Sequence, residues 1–383
     1  MPGRPARGIL TAALVCGVFL AGCTGTPEPP PLQPTAPLPP PVTATTQPST
    51  TGPPAVPAPT GEGAASPSDT AVVTPAFQEL RAALELFSRE KLQEGASAVI
   101  IRAKAGQQEW THAAGVRSRD GQIAVQTSDR FNVGGQLRTM LGVSVMKLVE
   151  EAQVRLDDAI ITHLPGSLAG NSTVTVRQLL GDLSELPGGL ASRADSLLGQ
   201  LVTQLRGQPL EAVLRTDILT PLDLRSTVLQ EQSNAWPGDL VHGYVHVGGA
   251  VVDVVGLGPA SGRASPALLS TVQEITAFQF ALLGGELLSP EGLVAMKGTV
   301  FADYGLGLDH WNDRCTNGYY YGHVGDVPGY GSIAISSADG NRQLAILMAY
   351  PPQPLSEKPS ALALEMTGVA QVALNSGCRF QFR

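Results

Sequence analysis

A serine three residues ahead of a lysine, Ser144-Val145-Met146-Lys147, sets a hydroxyl and an amine about one turn apart on a helix. That is the pairing needed when a serine attacks an acyl carbon and an amine takes its proton. A lone pair of this kind is a weak signal, and its plain reading is a small packed serine with a lysine snorkelling at the helix end. His242 and His246, four apart, could ligate a metal, but no third ligand is near in the chain and the glycine-rich surround is unlike a helix. Their plain reading is as exposed loop histidines. A further histidine, His323, lies in Gly322-His323-Val324-Gly325-Asp326-Val327-Pro328-Gly329-Tyr330, where Gly325 would allow a ligand close to the backbone.

The stretch that must position such groups is Arg130 to Asp158. Phe131 to Gly135 is a short turn with two glycines, and the apolar residues after it fall at Leu141, Val145, Leu148 and Val149, the spacing of one helical face. The pattern predicts a helix from about Gln136 that stops near residue 152. Its free N–H groups would point back at the turn, an arrangement suited to an anionic or oxyanion-like ligand. Ser144 lies nine residues beyond Gly135, roughly 13 Å further along at about 1.5 Å per residue.

This stretch resembles the nucleophile helix of the β-lactamase and penicillin-binding-protein family of serine hydrolases, in the branch with class C β-lactamases, D-alanyl-D-alanine peptidases and related esterases. Phe131, Gly134, Thr139, Leu148-Val149-Glu150-Glu151 and Leu156-Asp157-Asp158 match that helix without a gap. In the family a serine nucleophile and its lysine base begin the helix as S-x-x-K. Here Gly135 and Arg138 stand at those two positions. Glycine has no oxygen to acylate, and a guanidinium stays protonated, so both halves of the acylation chemistry are missing.

The resemblance continues along the chain. Thr173 to Leu180 is similar to the family's ITIRQLL, with Asp182 and Glu185 where the following phrase has His and Gly; Ile218 to Leu224 is similar to its ILxPLGL. Counting back from Gly199 puts the second motif, Y-x-N, on Leu190-Ala191-Ser192, which implies loss of the phenol that assists proton transfer and of the amide that holds a substrate. Ser270-Thr271-Val272-Gln273 reads as a capping box before a helix through Ile275, Phe278, Leu282 and Leu283, and Tyr304 to Leu308 resembles the YGLGW strand. Only the third motif, H-x-G, survives, at His323 and Gly325. The resemblance implies that His323 helps hold a substrate carboxylate or polarise a nucleophile; in a chain without one, both residues can equally be retained strand-edge structure.

Three further stretches read as secondary structure. Ala76 to Phe87 predicts a helix behind Pro75, Ala98 to Ile101 and Glu109 to Val116 a hairpin, and Leu197 to Leu205 an amphipathic helix ended by Gly207. At the start, Arg4 and Arg7 precede an apolar run from Gly8 to Leu20, the pattern of a secretory signal over residues 1–22. Leu20-Ala21-Gly22-Cys23 resembles a bacterial lipobox, which implies a lipid on Cys23 and an exported chain anchored to the outer face of the cell membrane. Residues 24–75 hold 16 of the 31 prolines and predict an extended spacer. Of four cysteines, Cys16 leaves with the signal, so Cys315 and Cys378 remain as an even pair that could form a disulfide in an exported domain. The net charge of -8 and the absence of basic runs argue against nucleic acid as a partner.

Residues 76–383 are therefore expected to form a mixed α/β fold of the family, a mainly antiparallel sheet flanked by helices, with a helical subdomain over roughly 145–260. No cofactor or metal is implied. One expectation is a non-catalytic envelope protein that binds peptidoglycan peptides or a partner protein. In it the N–H groups of Gly135 and Asp326 hold a carboxylate and Arg138 adds positive charge. The other is an active β-lactamase, peptidase or esterase in which an unaligned residue such as Ser184 or Ser192 supplies the nucleophile.

Overall fold

The computed structural model describes residues 73–168, 173–181, 186, 189–230, 235–256, 267–300, 303–354, 360–376 and 378. The leader, Cys23, most of the spacer, and Asp182, Ser184 and Glu185 lie outside the described residues.

Helix α1 (Pro75–Gln93) opens with Pro75 at its first turn and the Thr74 side chain accepting the Phe77 N–H. It runs six residues past Phe87 and buries Phe77, Leu80, Leu84 and Phe87. Strands β1 (Ala98–Ala105) and β2 (Gln108–Gly115) form the expected hairpin. The short strand β3 (Phe131–Asn132) leads into helix α2 (Gln136–Glu150). Helices α3 (Ile160–His163), α4 (Val176–Leu180), α5 (Ala194–Arg206) and α6 (Leu210–Leu214) follow, the last running on through Leu219. The chain then turns to strands β4 (Val228–Gln230), β5 (Tyr244–Val247), β6 (Ala250–Asp253) and β7 (Ala267–Ser270), so among the described residues the helices of the expected 145–260 subdomain end near 219.

Helices α7 (Val272–Leu283) and α8 (Pro290–Lys297) precede strands β8 (Asp309–Asp313), β9 (Gly318–Val327), β10 (Tyr330–Ser337), β11 (Arg342–Ala349) and β12 (Gln353–Pro354), and helix α9 (Ala361–Ser376) follows. Thr271 alone caps α7, accepting the Glu274 N–H at 3.2 Å; Ser270 belongs to β7, and the Glu274 carboxylate goes instead to Ser226 and Thr227. Tyr304 to Leu308 is not a strand. It is a turn with one bridge, Tyr304 to Asp309, held on α2 by Thr139 Oγ1 donating to Gly307 O at 2.8 Å.

The main sheet is antiparallel in the order β2-β1-β11-β10-β9-β8. Val99 and Ile101 of β1 face the core under α1 and α9, while Ile100 faces the core around α2 and α7. Burial on both faces explains why Ala98 to Ile101 is a continuous apolar run. Helix α2 is buried all round from Gln136 to Met146, not along one face, because the sheet, α5, α6 and α8 enclose it. Cys315 and Cys378 are joined by a disulfide.

Candidate functional site

The approach to α2 is set by its glycines. Gly134 has φ +51°, a left-handed conformation that favours glycine, and its N–H donates to Asn132 Oδ1 at 3.2 Å. Gly135 caps the helix with an ordinary φ of −60°, so space and not conformation demands glycine there. Strand β8 pairs with β9 only over residues 318–322, which leaves the edge of β9 from His323 to Val327 free to meet this turn. A Cβ on Gly135 would lie 2.3 Å from Val324 O and 3.0 Å from His323 Nδ1. On the facing strand, a Cβ on Gly325 would lie 2.2 Å from Val133 O and 3.0 Å from Gly135 N. The room in which a serine side chain would begin is filled by a strand carbonyl.

One turn into α2, Arg138 is 3% exposed and each of its nitrogens is engaged. Nε donates to Tyr304 Oη at 3.0 Å, one terminal nitrogen to Asp195 Oδ1 at 2.6 Å, and the other to the carbonyl of Leu179. Burial by itself would lower its pKa, but Tyr304 and Asp195 more than offset that, and the guanidinium stays charged. The expected role of Arg138 as a free positive charge in the cleft is therefore replaced by an internal one, in which it ties α2 to α4, α5 and the 304–308 turn.

Tyr304 carries the network on. Its Oη lies 2.8 Å from His323 Nε2, and His323 Nδ1 lies 2.6 Å from Val324 O. A carbonyl can only accept, so Nδ1 carries the proton, and Nε2 accepts from the Tyr304 hydroxyl, which in turn accepts from Arg138. Burial, together with the charge of Arg138, holds the imidazole below its usual pKa, so it is neutral. Burial also pushes the Tyr304 phenol well above its usual value. The chain of donors ends on a backbone carbonyl, and no nitrogen of His323 is left to receive a substrate proton.

A cavity of about 670 Å³ lies beside this network. Gly134, Gly135, Asp195, Asp309 and Asp326 are among its lining. Burial raises the Asp309 carboxyl, with His323 and Arg138 partly opposing; no hydrogen bond to it is made among the described residues. Burial likewise raises that of Asp326, whose Oδ2 accepts the Ser360 N–H.

The other sequence-picked residues are placed apart from this cavity. Leu190 packs on the core edge, and Ser192 is exposed with its Oγ donating to Gly189 O at 2.9 Å. Ser144 is fully buried, and its Oγ has no partner among the described residues. His242 Nδ1 meets Asp253 Oδ2 at 2.7 Å, and His246 is exposed on β5.

Sequence reading missed Tyr304, Asp195 and Asp309. Tyr304 was visible only as the start of a supposed strand. Asp195 stands 57 positions from Arg138, and no spacing could announce that pair.

The Beta-lactamase family model matches residues 87–365, a span that contains α2, the 304–308 turn and the edge of β9. The chain belongs to the beta-lactamase family. Penicillin-binding protein 4 of Amycolatopsis lactamdurans is 25% identical over 265 residues, 57% of this chain and 69% of that protein. Protein flp of Staphylococcus aureus is 26% identical over 102 residues, 26% of this chain and only 20% of that protein's length. Among solved structures, the D-amino acid amidase of Ochrobactrum anthropi SV3 superposes with a TM-score of 0.65 at 19% identity, covering 80% of this chain and all of that one. The D-stereospecific amidohydrolase of a Streptomyces species does so at 0.58 and 24% identity, covering 70% and 94%. These likenesses show the shared fold, a mixed α/β architecture with antiparallel sheets and helices.

Proposed function

We propose that this chain is an exported lipoprotein, anchored through Cys23 to the outer face of the cell membrane, whose β-lactamase-type cleft binds a peptidoglycan-type peptide without acyl transfer. The observation that carries this reading is Gly135: it has no oxygen, and Val324 O lies 2.3 Å from where its Cβ would be. Arg138, engaged on three sides, supplies no base. The relatives include a penicillin-binding protein, which favours a cell-wall peptide over an unrelated ligand.

One observation favours a second reading, an active hydrolase with a relocated nucleophile: the Tyr304 hydroxyl does stand against a neutral imidazole. Its oxygen already accepts from Arg138 and its proton is given to His323, and burial disfavours the phenolate. Tyr304 also does not line the cavity among the described residues. The test is incubation with a fluorescent penicillin and with a fluorophosphonate, followed by mass-spectrometric mapping. No adduct is expected; an adduct lost in Tyr304→Phe would establish the second reading.

A further inference from the structure

Helix α9 is apolar even where it meets solvent. Its 16 residues carry one charge, Glu365, and Val372 is 71% exposed. Helix α1 covers the same core, and the two run antiparallel, since Lys91 near the end of α1 pairs with Glu365 near the start of α9 at 2.8 Å. Between them lies a groove of about 750 Å³. Its floor is apolar, with Leu80, Leu84 and Phe87 from α1 and Val369 and Ala373 from α9. Each rim is a helical stripe at spacings of three or four residues. On α1 the rim reads Glu79, Ala83, Leu86 and Glu90, all exposed. On α9 it reads Glu365, Gly368, Val372 and Ser376, again all exposed. The middle of the groove is thus apolar, and Ala83 and Gly368 leave room for another backbone to come close.

Its charge is of one sign. Among the described residues the lining holds three glutamates and no lysine, arginine or histidine. Arg81 pairs with Glu85, and Lys91 with Glu94 and Glu365, which leaves Glu79 and Glu90 without an ion pair among the described residues. These two are eleven positions apart, three helical turns, so they stand on one line about 16 Å from each other.

We propose that this groove docks a basic amphipathic helix of a partner protein. The helix lies along α1 and α9, its apolar face on Leu86 and Val372 and two cations, three turns apart, on Glu79 and Glu90. A contiguous exposed apolar strip with a polar rim marks an interaction site, and a helix laid in an apolar groove is a recurring mode of recognition. Charge selects the occupant. A second copy of this chain on the same groove would set carboxylate against carboxylate, and an anionic membrane surface would be repelled in the same way. None of the groove residues lines the cleft cavity, so docking here does not depend on what the cleft binds.

The experiment is fluorescence anisotropy of labelled synthetic helices of about 18 residues, long enough to fold alone, titrated with the full chain. One has a leucine face and two lysines eleven positions apart; its twin has glutamate in place of both lysines. The lysine helix should bind about tenfold or more tightly than the twin. Leu86→Asn with Val372→Asn, which leaves the net charge unchanged, should weaken that binding by about tenfold. Glu79→Lys with Glu90→Lys should transfer the preference to the glutamate helix. Binding of neither helix, equal binding of both, or binding untouched by the two asparagines overturns the docking surface. A dimer in analytical ultracentrifugation that the same asparagines dissociate also overturns it, because the groove then belongs to a second copy. Should the double asparagine variant fail to fold, Val372→Asn alone, at the more exposed position, decides the same question.

Discussion

Restoring the family's serine by Gly135→Ser should harm this protein without reviving it. The new Cβ would stand 2.3 Å from Val324 O, about 1 Å short of the 3.4 Å at which ordinary contact begins, with His323 Nδ1 a further 3.0 Å neighbour. Val324 O is strand backbone and the other side of the contact is the capped start of α2, so neither yields by a side-chain rotation. Overpacking of this kind costs about 1–3 kcal/mol, which for a domain of about 300 residues is a fall in melting temperature of roughly 2 to 5 °C. Because the Cβ causes the clash, Gly135→Ala should lose as much as Gly135→Ser, within about 0.5 kcal/mol. Urea titration and thermal melts of the two variants measure this. The double variant Gly135→Ser with Arg138→Lys should also fail to hydrolyse nitrocefin. The reason lies in the packing at the helix start: a phenol is present in the site after all, brought by Tyr304 and not by the position the alignment expected. Wild-type stability in Gly135→Ser, or an acyl adduct mapped to position 135, would refute the reasoning.

Three other outcomes follow from the same geometry. His323 is held below its usual pKa of 6.5, so its contribution to stability is complete above about pH 6.5 and is lost as pH falls toward the depressed folded value. The raised carboxyls of Asp309 and Asp326 act in the opposite sense; comparing urea midpoints of wild type and His323→Gln at pH 7 and pH 5 isolates the histidine, and the variant should lose less on acidification. In the core beneath α9, burial pushes the Asp313 carboxyl up, but Arg342, Thr316 and the Cys315 N–H bring it down to about 2. Arg342→Met would leave that carboxylate buried and unpaired, at a cost of about 3–5 kcal/mol by urea denaturation; a loss below about 1 kcal/mol would show that the pair is not a structural requirement. Replacing both Cys315 and Cys378 by serine opens a link spanning 63 residues and should lower stability by about 2–4 kcal/mol. An unchanged denaturation midpoint would mean that the cysteines are not bonded in the protein.

Much of the fold could be read along the chain because its signals are local. The hairpin of β1 and β2, the α5 stop at Gly207 with φ +65°, and the β9–β10 turn at Pro328-Gly329 all follow from residues within a few positions of one another. That residues 135 and 138 are glycine and arginine where the family motif resembled by this stretch has serine and lysine was equally legible, since it needs only residue identity. Other features were misread where distant contacts overrode a local pattern. Tyr304 to Leu308 resembles a strand but becomes a turn because Leu180, Met296 and Thr139 claim its backbone groups. The box expected at Ser270-Thr271-Val272-Gln273 does not form, because Ser270 is taken into β7 opposite Phe131, 139 positions away, and Thr271 becomes the cap instead.

What the sequence alone determined is that position 135 carries no hydroxyl and that position 138 carries a permanent cation, because residue identity fixes both. Only the tertiary structure decided what those facts do. A glycine is compatible with an open cleft or a closed one until the edge of β9 is laid against it. An arginine can greet a ligand or bind its own fold until Asp195, Tyr304 and the Leu179 carbonyl are brought around it. Such contacts join distant segments, as Gln136 to His323 does across 187 positions, and no periodicity in the chain encodes a distance of that kind.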